Sequence, residues 1–184
     1  NTFTITTGHQ LCLFTGPLYF IYKIISTINL TEQLKKEYPE NNFVPIFWMA
    51  SEDHDFEEVN HIHLFGKKYE WNSDESGMVG DFNTSEISKI ISEISSILGD
   101  TENANSIIDL LRSCYKDNSL SDATRLLVNE LFGKYGIVIL DANDKELKKQ
   151  LLPIIKRDVL HQELTPIISE NTSSFSENYK PQAI

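Results

Sequence analysis

Two short segments hold the side chains best suited to chemistry. "TTGHQ" (residues 6–10) carries His9 and Gln10 directly after a glycine, and "SEDHD" (51–55) carries His54 between carboxylates. Carboxylates crowded together repel one another, which raises some of their pKa values toward neutrality. A histidine beside them can accept or release a proton near neutral pH. The second segment therefore predicts general acid or base chemistry, with Asp53 orienting His54.

The first segment has the features of an anion site. In "TTGHQLCLFTGP" a glycine turn leads to a helix, and the free N–H groups and positive dipole end of a helix favour a phosphate or carboxylate. Thr7, His9, Gln10 and Thr15 are the candidate donors. The segment is neither a Walker loop nor GxGxxG, so a tight turn followed by a helix cap remains an equal alternative.

A metal site is a competing interpretation of the second segment. His54 and His61 could meet around a divalent ion with neighbouring carboxylates, which would suit a metal-dependent hydrolase. The order "DHD" does not reproduce the helical HExxH pattern, and we predict no metal ligands. The remaining alternative is a solvated acidic helix start with Asp53 or Asp55 as N-cap.

Both segments follow predicted strands. "FTIT" (3–6) reads as a strand, apolar residues recur at helical spacing from Gly16 to about Tyr38, and "FVPIFWMA" (43–50) is typical of a strand buried on both faces. This βαβ unit has parallel strands. A later strand, 137–140, ends at Asp141. Ligands of such sheets lie beyond the carboxyl ends of the strands, so "TGHQ", "SEDHD" and Asp141 are expected at one edge.

The remaining segments complete an α/β domain. Short strands are predicted at "IHLF", "KKYEW" and "GMVGDF" in an insertion of about 61–118, and helices at 84–98, 103–115 and 121–132. Asn143 or Asp144 caps a further helix that ends near Leu160. Pro153 should kink that helix or mark its true start. The serine-rich tail "ENTSSFSENYKP" reads as loop.

Composition limits the class of protein. The 184 residues include 16 Lys and Arg against 27 Asp and Glu, a net charge of −11, which disfavours nucleic acid as a partner. No apolar run is long enough for a membrane span, and a cytoplasmic protein is the simplest expectation. Cys12 and Cys114 are predicted to be ordinary thiols, with no base at a fixed offset to activate Cys12. The start at Asn1 and the end at "YKPQAI" suggest a piece of a longer protein.

Several motifs in one order resemble a known family. "TTGHQ", "LFTGPLYFIYK", "PIFWMASEDHDFEEVNHI", "YGIVILDAND" and the closing "YKPQ" are similar to the bacillithiol biosynthesis cysteine-adding enzyme, a cysteine ligase. The resemblance covers nearly the whole chain. It implies a Rossmann-like, mostly parallel core of the class I synthetase and nucleotidyltransferase type, with connecting-peptide insertions. It also implies a homodimer formed through a coiled coil outside this chain.

The resemblance implies a reaction as well. The family joins cysteine to the amino group of glucosaminyl malate through an amide bond, and related ligases use ATP, so ATP or ADP with Mg is the candidate cofactor. His54 and Asp53 would be catalytic. His9 departs from the glutamine of many relatives, and neither a HIGH motif nor a KMSKS-like loop is present. The implied substrate- or nucleotide-binding residues are Thr7, Gly8, His9, Gln10, Thr15, Gly16, Pro17, Tyr19, Lys23, Trp48, Glu52 and Asp55. A nucleotide-sensing or assembly module without catalysis is a further alternative.

Overall fold

The structure is a computed structural model that describes residues 1–175. Strands and helices alternate at first, and helices dominate the second half. The elements, in chain order, are β1 (Thr2–His9), α1 (Leu18–Glu37), β2 (Asn42–Met49), α2 (Phe56–Val59), β3 (His61–Leu64), β4 (Lys67–Glu70), α3 (Ile87–Leu98), α4 (Glu102–Tyr115), α5 (Leu120–Phe132), β5 (Val138–Asp141), α6 (Lys145–His161) and α7 (Leu164–Phe175).

A three-stranded parallel sheet organises the first part of the chain. Its strand order is β1, β2, β5, with β2 in the centre. The predicted α/β class with a mostly parallel sheet is confirmed. β1 is longer than predicted, because Gly8 pairs with Trp48 and His9 pairs with Met49. The predicted glycine-histidine-glutamine turn is therefore wrong in its boundary: Gly8 and His9 belong to the strand, and the turn begins at Gln10.

Helix α1 covers one face of the sheet. The Phe20 ring meets the Phe47 ring edge-on, with centroids 5.2 Å apart, and both side chains are fully buried. Burial along β2 alternates, and Trp48, between buried Phe47 and Met49, is 40% exposed. The prediction that β2 is buried on both faces is wrong. A short apolar run does not distinguish a strand covered on one face from one covered on two.

The predicted insertion consists of a hairpin and helices. β3 and β4 pair in an antiparallel hairpin, as predicted, but "GMVGDF" forms a 3₁₀ turn at Val79–Asp81 in place of a strand. Gly80 sits so close to its neighbours that a Cβ there would lie 2.4 Å from Ser121 Oγ and 2.6 Å from the Ser51 carbonyl oxygen. Helices α3, α4 and α5 confirm the three predicted helices, and their buried residues join the core of the sheet.

The chain divides into two compact units, Asn1–Asn143 and a second that begins at Asp144. The Asp144 side chain accepts hydrogen bonds from the N–H groups of Glu146 and Leu147, so the predicted cap of α6 is confirmed. Pro153 lies inside α6, eight residues after its first residue, and does not mark its start.

The described part of the predicted loop tail is helical. α7 continues to Phe175, so the loop prediction is wrong for "ENTSSF", while the rest of that tail and the closing "YKPQ" lie outside the described residues. Serine and asparagine are weak signals of a loop here, because both also occur within helices.

Through residue 175, no helix has the length and apolar character needed to cross a membrane.

Candidate functional site

The carboxyl ends of the three parallel strands meet at one edge, as the sequence predicted. His9, Met49 and Asp141 stand side by side across β1, β2 and β5. Backbone pairing continues past the strands, with Ala50 N donating to His9 O at 3.0 Å and Ala142 N donating to Met49 O at 3.1 Å. The backbone thus brings the two polar segments and Asp141 to the position where α/β sheets bind ligands.

Gln10 connects the two predicted segments directly. Its side-chain amide nitrogen donates to Asp53 Oδ2 and to Glu58 Oε2, each at 2.8 Å. The two amide protons are therefore directed at carboxylates in this structure. Gln10 holds together two acidic groups that would otherwise repel each other, because an amide N–H₂ group can satisfy two acceptors at once.

Asp53 is the most constrained carboxylate of the site. Its Oδ1 accepts the backbone N–H groups of His54, at 2.7 Å, and Asp55, at 3.1 Å. The hydrogen bond from Gln10 is the largest cause that lowers the pKa of the Asp53 carboxyl. The two backbone N–H groups and the nearby charge of His54 lower it further. Asp53 is thus a fixed, ionised acceptor, while the His54 side chain is exposed beside it.

Replacing Gln10 with leucine should raise the pKa of Asp53, because the largest cause of its depression is removed. A carboxyl whose pKa is depressed in the folded state stabilises the protein above its unfolded pKa, and that contribution disappears as the pH falls through the folded pKa. Gln10→Leu should therefore destabilise the protein at neutral pH and lose this effect in acid. NMR titration of the Asp53 carboxyl carbon measures the change in pKa. Urea unfolding at neutral and at acidic pH measures the change in the free energy of unfolding.

Gln33 supplies a matched control for this prediction. Its side chain also donates to a carboxylate, Glu37 Oε1 at 2.8 Å, but on the exposed surface of α1. Gln33→Leu should leave the Asp53 titration unchanged. An Asp53 pKa that is the same in wild type and Gln10→Leu would contradict the assigned hydrogen bond.

The loop from β1 to α1 has an unusual backbone. Phe14, Thr15 and Gly16 have φ angles of 50°, 75° and 60° in succession. Such angles are costly for residues other than glycine and persist only where surrounding contacts enforce them. The Phe14 N–H donates to the buried Tyr115 hydroxyl at 3.0 Å, and a Cβ on Gly16 would lie 2.4 Å from Cys12 Cβ. The loop is therefore held in one conformation.

His9 packs into this loop. Its ring lies 5.3 Å from the Phe20 ring and 6.0 Å from the Tyr19 ring, and its Nδ1 donates to Gln10 O at 3.1 Å. Burial lowers the pKa of His9, which favours the neutral imidazole. Cys12 Sγ is 3.7 Å from His9 Nδ1, but this nitrogen carries the proton that it donates to Gln10 O, so it is not a base for the thiol. Burial also raises the pKa of Cys12 to about 11, which keeps it protonated.

The start of α1 has no side-chain cap, and the Phe20 N–H donates to the Pro17 carbonyl oxygen at 2.9 Å. Pro17 is the N-cap residue of this helix. Lys23 Nζ donates to the Gly8 carbonyl oxygen and stands 5.3 Å from the Tyr19 ring centroid. Thr7, Tyr19 and Lys23 line a groove of about 310 Å³ along β1 and α1. Three of the predicted binding residues therefore share one groove.

A second hydrogen-bonded cluster fixes the β5 side of the edge. Buried Ser51 Oγ donates to Asp141 Oδ1, and the Asn143 N–H donates to both groups, at 3.1 Å to Ser51 Oγ and 2.8 Å to Asp141 Oδ1. These contacts connect the ends of β2 and β5. The segment that carries Asp53 and His54 begins at this anchored serine.

The side chains of three other predicted residues are exposed. Trp48 is on the sheet face opposite Phe47, next to Gly8, and Glu52 and Asp55 are exposed, with Asp55 contributing only its backbone N–H to Asp53. Within residues 1–175, no three His, Cys, Asp or Glu side chains are arranged to hold a metal ion.

Three residues of the site were not singled out from the sequence. Glu58 receives the second Gln10 hydrogen bond, Ser51 anchors Asp141, and Tyr115 holds the Phe14 loop. Ser51 lies two residues after the end of β2 and could have been found from its position. Glu58 belongs to the acidic stretch after β2, but its contact with Gln10, 48 residues away, could not be predicted, and Tyr115 gave no signal, because its partner is 101 residues away in sequence.

A parallel sheet with its polar groups at the carboxyl ends of the strands, next to a helix N-terminus, defines a Rossmann-like α/β domain. The whole chain, residues 1–184, matches the family described as "Bacillithiol biosynthesis BshC, N-terminal Rossmann-like domain". The chain belongs to the BshC family.

Similar proteins in bacteria carry the name "Putative cysteine ligase BshC". The protein from Flavobacterium psychrophilum is 52% identical over 178 residues, covering 96% of this chain and 34% of the relative. That from Christiangramia forsetii is 48% identical over 194 residues, covering 100% of this chain and 36% of the relative. That from Cytophaga hutchinsonii is 41% identical, with 97% and 32% covered. The chain thus spans about a third of these relatives.

Proposed function

We propose that this domain belongs to a ligase of bacillithiol biosynthesis that adds cysteine to glucosaminyl malate by forming an amide bond. The family and the names of its relatives support the pathway and the use of cysteine. The observation that carries the proposal is the contact of Gln10 with Asp53 and Glu58, which joins the two polar segments at the carboxyl edge of the sheet.

The reaction needs a proton acceptor for the attacking amine. The amine nitrogen forms a bond to the activated carboxyl carbon of cysteine, the leaving group departs with its electron pair, and the nitrogen loses a proton. We assign this proton to the exposed imidazole of His54. Asp53, held ionised by Gln10 and two backbone N–H groups, one of them that of His54, would fix the backbone that carries the imidazole.

An anionic substrate group would bind next to this pair. The N–H groups of Leu18 and Tyr19 at the start of α1 and the Thr7 hydroxyl would hold a phosphate or carboxylate, and Lys23 would supply positive charge to the same groove. ATP or ADP with Mg, when bound there, would activate the cysteine carboxyl. We further propose that the full-length protein is cytoplasmic and forms a homodimer through regions outside this chain.

The test is product formation by the full-length protein. Cysteine and glucosaminyl malate are supplied with and without Mg-ATP, and bacillithiol is measured by mass spectrometry. Product that requires Mg-ATP supports the ligase and the nucleotide groove. Product without ATP supports the ligase but contradicts the ATP assignment. Binding of ATP without any product would instead favour the sensing or assembly module, and chelator-sensitive hydrolysis would favour the hydrolase.

A further inference from the structure

A separate cavity of about 370 Å³ lies between α3 and the last turn of α4. Its size is within the range of small-molecule sites. None of its lining residues belongs to the groove along β1 and α1. The residues that line it are Ser85, Ser88, Ile91, Ser92, Arg112, Tyr115, Lys116 and Asp117.

Two cationic side chains line this cavity in a chain of net charge −11. Arg112 approaches Asp109 only at 3.7 Å, on the exposed surface of α4. Lys116 has no ion-pair partner among residues 1–175. Basic residues also favour helix C-termini through the helix dipole. Here, however, both border a cavity whose own lining holds one carboxylate, Asp117, and Asp109 is not part of that lining, so the two cations are accessible to a ligand in the cavity.

The wall of the cavity formed by α3 offers hydrogen-bond acceptors. Ser88 Oγ donates to the Ser85 carbonyl oxygen at 2.8 Å, and Ser92 Oγ donates to the Ser88 carbonyl oxygen at 2.9 Å. The proton of each hydroxyl is thus used within α3, while its oxygen lone pairs remain available. A ligand that suits this wall carries its own hydroxyl donors.

The base of the cavity is fixed before any ligand binds. Tyr115 is buried, its hydroxyl accepts the Phe14 N–H at 3.0 Å, and its ring meets the Phe14 ring at 5.0 Å. Thr84 Oγ1 donates to the Tyr115 carbonyl oxygen at 2.8 Å. Ile91, on the α3 side, is also buried. A wall that is already ordered reduces the entropic cost of binding.

We propose that this cavity is a second ligand site, which binds a small hydroxylated anion. The phosphate or carboxylate of the ligand contacts Arg112 and Lys116, and its hydroxyl groups donate to Ser88 and Ser92. This assignment does not depend on the ligase reaction: Tyr115 also holds the Phe14 loop, but none of the residues that contact the ligand is given a role in that reaction.

Isothermal titration calorimetry of the full-length protein at low salt tests the proposal with three probes. Glycerol 3-phosphate and glycerate share a hydroxylated body and differ in the anionic group, and glycerol has the body without the charge. We expect saturable binding of at least one anion and none of glycerol. In the double variant R112Q/K116Q the Kd of that anion should rise by about tenfold or more, since charge-assisted hydrogen bonds are lost.

The variant K89Q/R125Q is the matched control. Lys89 and Arg125 are exposed, pair with Glu86 and Asp122, and do not line the cavity. Its Kd should equal that of wild type. The tighter of the two anions identifies the anionic group. The proposal is overturned if neither anion binds saturably, if glycerol binds as tightly, or if R112Q/K116Q binds as wild type does.

Discussion

In the full-length protein, His54→Ala should lower kcat for amide formation by about 100-fold, the usual contribution of a positioned general base. His54 follows the end of β2, its backbone N–H donates to the constrained Asp53 carboxylate, and its side chain is exposed. Loss of a transition-state proton acceptor affects kcat more than KM. Steady-state kinetics with varied glucosaminyl malate, followed by mass spectrometry of the product, measures both.

His63 provides the control, since it is another exposed histidine but lies on β3, outside the segment 51–55. His63→Ala should keep the wild-type kcat. Because His54 is exposed, its removal should leave the unfolding temperature almost unchanged, which separates a catalytic defect from a folding defect. A folded His54→Ala protein with undiminished kcat would refute the role assigned to His54.

The position of the candidate site at one edge of the sheet could be predicted from general rules of α/β folds. Two apolar runs separated by an amphipathic helix predict parallel strands, and parallel strands place their carboxyl ends together. The placement of His9, Asp53 and Asp141 at one edge of the sheet could therefore be predicted without any knowledge of side-chain contacts. Asp144 could likewise be recognised as a cap, because capping depends on local spacing.

The contacts within the site depend on distant partners and could not be read from the sequence. Gln10 was expected to face an anion, but in the structure its amide reaches two carboxylates more than 40 residues away. The backbone of Phe14 is likewise held by Tyr115, from the end of α4. Gly80 illustrates the same limit: its close packing against Ser51 and Ser121 favours a 3₁₀ turn over a strand. Tertiary packing decided each of these features.

Phe47→Ala should produce the largest loss of stability, about 4 kcal/mol in the free energy of unfolding. The Phe47 side chain is fully buried between β2 and α1, edge-on to Phe20. Its removal leaves a cavity that the surrounding residues fill only in part, and it also ends an aromatic contact. Urea unfolding of the 184-residue chain should show a lower midpoint with an unchanged m-value.

Phe65→Ala is the matched control, because the Phe65 side chain is 79% exposed and the substitution removes the same atoms. Its effect should stay within about 0.5 kcal/mol. Phe47→Leu should fall between the two, since it retains most of the buried volume. Equal losses from Phe47→Ala and Phe65→Ala would contradict the packing of α1 against β2. Because Phe47 lies on β2, whose carboxyl end precedes Ser51 and Asp53, a confirmed loss at Phe47 would show that core packing stabilises the strand that leads to the site.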